Sequence, residues 1–361
     1  MKILVLNCGS SSIKYKLFEM ESKEVIAQGG VEKIGMKGSF LKFTLADGQK
    51  VILEGEILEH RAGIEYILGV LLSEKYGCIQ SLDEIEAVGH RVVHGGERFN
   101  ESVLITDEVI EILNECIELA PLHNPPNLKG IYAIQELMPE TPQVGVFDTA
   151  FHQTMPDYAY MYGIPYSLYE KYGIRRYGFH GTSHRYVSER VCEFLGVPYE
   201  EQRIITAHIG NGGSVTAIKN GKSMDTSMGM TPVEGLIMGT RSGDVDPGAI
   251  SYIMEKEHMG TNGISTLLNK FSGGLGISGI SSDMREISAA IESGNERAAL
   301  AMETYNYRIK KYIGSYAAVL GGVDILVFTG GVGENQAVTR RDVCRNMEYM
   351  GIELDEALND T

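Results

Sequence analysis

The first sixty residues alternate. Residues 2–6 form a short apolar run that closes on Asn7 and a cluster of small residues. Residues 13–18 then place apolar and polar side chains in turn, the period of a half-buried strand. Residues 25–34, 39–45 and 50–58 continue it, with Asp47-Gly48 as a hairpin signal. At residue 61 the period changes. Ile64, Ile67, Leu68, Leu71 and Leu72 share one face of a helix predicted over 61–76. Next come a strand over 87–94 with Gly95-Gly96, helices over 107–119 and 124–138, and a strand over 143–147 closed by Asp148. Strands interleaved with helices predict an α/β sheet.

The second half repeats the order. A strand over 203–209 meets a glycine-rich turn and a strand over 215–219. Helices are predicted over 247–257, 261–270, 283–292 and 295–320, then a strand over 324–329 before Gly330-Gly331. Each half opens with strand, small-residue turn and strand, and later holds a strand that ends in Gly-Gly. The echo predicts a duplicated α/β unit, divided into 1–150 and 151–361, with one small-residue turn from each facing a cleft. Any two α/β domains would share the same order.

Composition narrows the function. The chain has 361 residues, 48 acidic and 32 basic, for a net charge of −16. So acidic a chain lacks the basic face that nucleic acid or an anionic membrane requires. A small anion held by a few local arginines remains compatible with it. Five widely spaced cysteines without a C-x-x-C pair fit neither a disulfide framework nor a thiolate zinc site. No apolar stretch matches a signal peptide or a membrane span, so the expected location is the reduced cytoplasm. Glycine is the outlier: 43 residues, about 12% against a usual ~7%, clustered after apolar runs where backbone turns tightly or approaches a ligand.

Seven segments could carry chemistry. N-C-G-S-S-S-I-K at 7–14 could turn its backbone N–H groups on an anion, with Ser10 and Ser12 as donors and Lys14 as a charge, or be an ordinary hairpin turn. G-N-G-G-S at 210–214, preceded by His208, is a second phosphate-sized turn. Arg91 lies inside an apolar strand in G-H-R-V-V-H-G-G, where it needs either a bound anion or a paired carboxylate. Asp148 stands at the carboxyl edge of a strand, where α/β sheets place ligands, or caps a helix. Phe179 and His180 lie between glycines in R-Y-G-F-H-G-T-S-H, as an anion-binding group or as a satisfied loop histidine. Residues 225–248 form a long turn-rich segment around Arg241, a functional loop or a surface one. T-G-G-V-G-E-N at 329–335 suits backbone approach to a nucleotide and is not a dinucleotide fingerprint.

Taken together, N-C-G-S-S-S-I-K, G-H-R-V-V-H-G-G, V-F-D-T-A-F-H, R-Y-G-F-H-G-T-S-H, H-I-G-N-G-G-S, M-G-T-R-S-G-D-V-D-P-G and F-T-G-G-V-G-E-N resemble the acetokinase family over the whole chain. That family lies within the acetate and sugar kinase/Hsp70/actin superfamily. The resemblance implies duplicated actin/Hsp70/sugar-kinase-like (ribonuclease H-like) lobes flanking a nucleotide cleft. It implies a homodimeric phosphotransferase with a carboxyl group as acceptor, moving a phosphoryl group reversibly and in line between ATP and acetate to give ADP and acetyl phosphate. Mg²⁺ would serve, or Mn²⁺ in its place. By matching motif, Asn7 lies at the metal, and Lys14, Ser10 and Ser12 near the nucleotide phosphates. Arg91 binds the acetate side, Asp148 is the catalytic acid, and His180 and Arg241 stabilise the transition state. His208, Ile209, Gly210, Asn211, Gly212, Asp283, Met284, Arg285, Gly331, Val332, Gly333, Glu334 and Asn335 line the nucleotide site. Val93, Leu122, Phe179 and Pro232 form the methyl pocket. Because acetate is already an anion, Asp148 reads as an orienting group, through Mg²⁺ or Arg91, more than as a proton abstractor.

Two departures stand out. Met284 occupies a position near the adenine where the family commonly has Phe. Family members also run some tens of residues further, with a Glu for Mg²⁺ and a closing helix. Residues 353–361 read as a polar loop, so the expectation is a truncated chain that binds Mg²⁺·ATP weakly. Two other readings remain: a propionate- or butyrate-preferring member of the family, and an ATP-dependent binding protein of the actin/Hsp70 type. The latter would have no use for Arg91, His180 and Arg241 around a second anion.

Overall fold

The computed structural model describes residues 1–45 and 48–360. The chain splits into two compact units, Met1–Ala150 and Phe151–Thr361.

In the first unit, eight strands form one sheet: β1 (Lys2–Cys8), β2 (Ser12–Glu19), β3 (Glu24–Glu32), β4 (Phe40–Thr44), β5 (Lys50–Glu54), β6 (Ile85–Val92), β7 (Val103–Leu104) and β8 (Gln143–Phe147). Their order is β5-β4-β3-β2-β1-β6-β8-β7. The first five pair as antiparallel neighbours, whereas β6 joins β1 in parallel and β8 joins β6 in parallel. The alternation in β2 does what its period requires: Ile13, Tyr15 and Leu17 are buried while Lys14 and Lys16 are exposed. Three helices complete the unit: α1 (His60–Leu72), α2 (Asp107–Glu115) and α3 (Asn124–Leu137). Ile64, Ile67 and Leu71 of α1 and Ile134 of α3 pack with Leu4, Leu6 and Leu17 in one core. Ile110 and Leu113 of α2 join Val92 and Phe147 in another. Thr106 caps α2 by accepting from the Val109 N–H at 3.3 Å.

The second unit begins with α4 (Asp157–Tyr160), α5 (Tyr166–Tyr172) and α6 (Gly181–Leu195). Its sheet holds β9 (Arg203–Ile209), β10 (Gly213–Lys219), β11 (Lys222–Thr226) and β12 (Ile325–Thr329), in the order β11-β10-β9-β12. The remaining helices are α7 (Pro247–Lys256), α8 (Thr261–Lys270), α9 (Gly273–Ser278), α10 (Met284–Glu292), α11 (Glu296–Leu320), α12 (Gly330–Asn335), α13 (Ala337–Cys344) and α14 (Glu356–Asn359). Side chains from both faces of β9 are buried, the pattern of a sheet covered on two sides. Ile205, Ala207 and Ile209 pack with Tyr305, Ile309 and Ile313 of α11, while Ile204 packs with Cys192 of α6.

The echo between the halves is topological. In each unit a strand pairs antiparallel with the next strand across a small-residue turn, then in parallel with a strand far along the chain: β2-β1-β6 and β10-β9-β12. Several expectations need correction. The turn at 7–14 is tighter than expected, because β1 runs through Cys8 and β2 starts at Ser12, so Asn7 and Lys14 are paired strand residues. Residues 330–335, expected as a glycine loop, form a short helix. Residues 353–361, expected as a polar loop, contain a helical turn at Glu356–Asn359 whose Asn359 is buried and accepts from Arg340 at 2.7 Å. Local polarity hid it, since two arginines, Arg340 on Asn359 and Arg341 on Asp360, hold it rather than an apolar stripe. Helices α4 to α6 had no clean period to show them. Asp47 of the expected hairpin signal lies outside the described residues. No described helix is long and apolar enough to cross a membrane.

Gly29 on β3 is a packing requirement. A Cβ there would sit 2.7 Å from Phe43 Cβ and 2.9 Å from Phe43 Cα on the neighbouring strand. Gly29→Ala should lower the unfolding free energy by about 1–3 kcal/mol. Gly69→Ala, on the exposed side of α1 with open space around it, should raise it by up to about 1 kcal/mol. Urea titration of both variants checks the pair; equal effects would remove the packing argument.

Candidate functional site

In the first unit the chemistry gathers where β6 and β8 end. Their parallel register sets Arg91 beside Val146, so Asp148, one step past β8, reaches the guanidinium. Arg91 Nε donates to Asp148 Oδ1 at 3.0 Å and Nη2 to Oδ2 at 2.6 Å, a bidentate fork. Asp148 is buried, whereas the Arg91 side chain is 42% exposed. The carboxylate raises the Arg91 pKa, so the cation is permanent. Arg91 Nη1 also points to the Asn7 amide oxygen at 3.5 Å. The paired-carboxylate alternative for Arg91 is therefore present, and it leaves the fork's outer edge exposed.

The histidines flanking Arg91 are structural. His90 Nε2 meets Gln143 Oε1 at 2.8 Å in the core, and burial lowers its pKa to about 4. His94 Nδ1 accepts from the Gly96 N–H at 3.0 Å. Two asparagines missed in the sequence hold the segment between them. Asn127 Oδ1 accepts from the Val93 N–H and its Nδ2 donates to the Cys8 carbonyl. Asn124 accepts from the His94 N–H and donates to the His94 carbonyl. The signal was the N-P-P-N start of α3, where residues three apart share a face. Val93 is buried, Ser10 is exposed, and Leu122 is 64% exposed in a turn.

In the second unit His180 opens α6 with φ 57°, left-handed backbone that is strained for a histidine. His208 closes β9, and its ring centroid lies 4.3 Å from that of His180. Gly212 lies between two charged-group positions: a Cβ there would sit 3.1 Å from Arg241 Nη1 and 3.7 Å from His180 Cε1. Arg241 donates to the Pro232 carbonyl at 3.3 Å, and no carboxylate among the described residues pairs with it. Burial lowers its pKa from the ordinary guanidinium value without approaching neutrality. Phe179 is buried and Pro232 is half-buried.

The segment bearing Arg241 is held from outside the site. Arg176 Nη1 donates to the carbonyls of Thr226, Ser227 and Met228 at 2.9–3.1 Å, and Nη2 pairs with Glu234 at 2.5 Å. The Tyr162 hydroxyl donates to the other Glu234 oxygen at 2.5 Å and accepts from the Met230 N–H.

A cavity of about 740 Å³ in the same unit is lined by Gly210, Asn211, Asp283, Met284, Arg285, Gly331, Val332 and Asn335, with Ser282 and Gln336 unforeseen. Asp283 caps α10 and pairs with Arg285 at 2.6 Å, which holds its carboxyl at about 2. Three of the expected nucleotide residues face elsewhere. Ile209 is core, Gly333 packs against Phe328, and Glu334 folds back onto Thr329 and the Gly330 N–H.

A model of the acetokinase family matches residues 2–361. The chain is 74% identical over 359 residues to an acetate kinase of Azobacteroides pseudotrichonymphae, covering 99% of this chain and 90% of that protein. The crystal structure of Porphyromonas gingivalis acetate kinase superposes with a TM-score of 0.96 at 65% identity, over 99% of this chain and 90% of that one. A propionate kinase from Francisella tularensis superposes with a TM-score of 0.93 at 44% identity, over 99% of this chain and 91% of that one.

His90 gives stability a pH dependence. Its pKa is about 4 when folded and near 6.5 in an unfolded chain, so acidification through that window protonates only the unfolded state. Stability is therefore full above about pH 6.5 and falls toward pH 4. Between pH 7 and 5 this one group removes about 2 kcal/mol. Urea titrations should show a smaller acid loss in His90→Asn than in the wild type; equal losses would exclude His90 as a source.

Proposed function

The chain belongs to the acetokinase family, and on that premise we infer that it transfers the γ-phosphoryl group of ATP reversibly to acetate, giving ADP and acetyl phosphate. One observation carries the reading. Arg241 stands beside His180 around Gly212 with no carboxylate to neutralise it, which is how a protein stores a cation for an arriving anion.

Phosphoryl transfer spreads negative charge over equatorial oxygens, and the protein's task is positioning and charge stabilisation. Arg91 meets the carboxylate or acyl-phosphate oxygens with the part of its guanidinium fork that Asp148 does not occupy, the side around Nη1. Asp148 engages that fork with both oxygens, so its role is to aim the guanidinium. Acetate attacks as the anion it already is, and no proton needs removal. His180 and Arg241 meet the charge of the transferring group. The cavity beside Met284 takes the nucleotide, with the Asn211 backbone N–H offered to its phosphates while the Gly210 N–H closes the turn on the Gly212 carbonyl. Mg²⁺ is compatible with the donors present: it needs one or two carboxylates beside substrate phosphates and water, and the buried Asp148 carboxylate with the Asn7 amide oxygen offers that set. When bound it would neutralise phosphate charge. Val93, buried beside Arg91, is the residue of the first unit that sets acyl length.

Hydroxylamine trapping of the acyl phosphate, with ADP release, tests the activity; no hydroxamate from acetate and ATP would overturn it. Arg91→Ala and Arg241→Ala should each lower kcat by ~10²-fold or more with little change in ATP affinity. Lysine at either position should rescue poorly, lacking the fork. Wild-type turnover in either alanine variant would remove that residue from the mechanism. Val93→Ala should shift relative kcat/KM from acetate toward propionate and butyrate by about 10-fold or less per methylene. A uniform change across the three acids would take Val93 out of the acyl pocket.

A further inference from the structure

The Nδ1 atom of His180 is already engaged. It lies 2.8 Å from Ser214 Oγ. The same oxygen lies 2.7 Å from Nε2 of His184, whose Nδ1 lies 2.6 Å from Thr206 Oγ1. Thr206, His184 and Ser214 are all fully buried. Two rings and two hydroxyls therefore form a single file that ends on His180.

Counting protons gives the file a direction. Each hydroxyl has one proton to give, and a neutral imidazole has one N–H and one lone pair. His184 is neutral, because burial and the nearby His152, His180 and His208 push its pKa well below the ordinary value. If His184 donated from Nδ1 to Thr206, the Thr206 proton would need another acceptor. Among the described residues the Thr206 hydroxyl has no other partner. A buried donor left unmade is the costly case. The satisfied arrangement runs the other way. Thr206 O–H donates to His184 Nδ1, His184 Nε2–H donates to Ser214 Oγ, and Ser214 O–H donates to His180 Nδ1. Whenever His180 is neutral, its one proton is then on Nε2.

We propose that Thr206, His184 and Ser214 are a positioning relay that holds neutral His180 as its Nε2–H tautomer, so that the ring offers a donor rather than a lone pair to a phosphoryl oxygen. The proposal rests on the role given to His180 above and adds how that role is enforced. A second anchor fixes the backbone beside it. His152 Nε2 lies 3.0 Å from the Phe179 carbonyl, which can only accept, so Nε2 donates there and Nδ1 accepts from Ser223. Gly178 leaves room for that ring, since a Cβ would fall 2.8 Å from His152 Cδ2. The peptide before His180 is thus tied down where the chain enters its left-handed conformation. The other titratable and charged groups near His180 are His208, 4.3 Å away between centroids, and Arg241 across Gly212. Neither lies in the file.

The test reads tautomers directly. In the full chain labelled with ¹⁵N-histidine, near neutral pH, long-range ¹H–¹⁵N spectra should show His184 and His180 both protonated at Nε2 and bare at Nδ1. Thr206→Val matches the threonine in shape but removes the proton that starts the file. It should invert His184 and lower kcat for acetate phosphorylation about 10-fold or more, as loss of an outer partner that sets a histidine tautomer does, with KM for acetate within about twofold. Thr206→Ser keeps the hydroxyl and should retain both tautomers and most of kcat. Ser214→Ala should release His180 to a mixture of tautomers. Nδ1–H on either ring in the wild type overturns the relay without any variant, whether or not Thr206→Val folds. So does a folded Thr206→Val that keeps both tautomers and full kcat. A chain that never phosphorylates acetate would overturn the proposed function while leaving the tautomers as the relay's own evidence.

Discussion

One guanidinium, that of Arg176, ties down the start of the segment that carries Arg241. Around Arg241 the segment is tied by backbone hydrogen bonds such as Ser242 N–H to the Leu268 carbonyl and Gly239 N–H to the Asn211 carbonyl, and without side-chain anchors the stretch before Glu234 would be free to wander. Arg176 removes that freedom by gathering three successive carbonyls and the Glu234 carboxylate into one planar fork. A fork can do this where an ammonium cannot, because its donors are fixed in a plane. Arg176, outside the segment, and Arg241, within it, thus divide the work. Arg176 is neutralised and structural; Arg241 is left without a carboxylate so that its charge stays available.

The first unit applies the same division differently. There Arg91 is both paired and exposed: Asp148 takes one edge of the guanidinium, Nη1 reaches Asn7 only at 3.5 Å, and the side chain stays partly open to solvent. Pairing costs the arginine little of its reach and gives it a direction. Asn124 and Asn127 perform the matching task for the backbone, fastening the end of β6 to the start of α3. In the first unit Arg91 and Asp148 both stand at the ends of parallel strands, where the sheet leaves backbone to be satisfied by side chains or ligand.

Much of this was legible in the chain. Period-two alternation in residues 13–18 and the helical spacing from Ile64 to Leu72 are consequences of burying one face, so they survive as β2 and α1. The small-residue turns and the lone arginines were legible because their chemistry is costly without a purpose. What stayed hidden depends on contacts far apart in sequence. Nothing local says that Arg176 reaches Glu234, that Ser214 stands between two histidines, or that Arg340 receives Asn359. Residues 330–335 misled because glycines that look like a loop are needed here for helix entry: Gly330 has φ 78° and sits against the Ile209 carbonyl. Leu122, beside a proline, is exposed on its own unit.

The pairing of β12 with β9 bears on how the molecule is made. Strands β9, β10 and β11 follow one another closely and can form a meander as soon as they leave the ribosome. Their parallel neighbour is synthesised roughly a hundred residues later, after the long helix α11. During that interval one edge of β9 has no partner, and its buried isoleucines have no α11 to cover them. At ordinary elongation rates of about 5–20 residues per second the gap lasts several seconds, far longer than hairpin formation. A nascent chain with an open apolar edge for that time is a natural client for chaperones, and the cell's demand for this enzyme is also a demand on them.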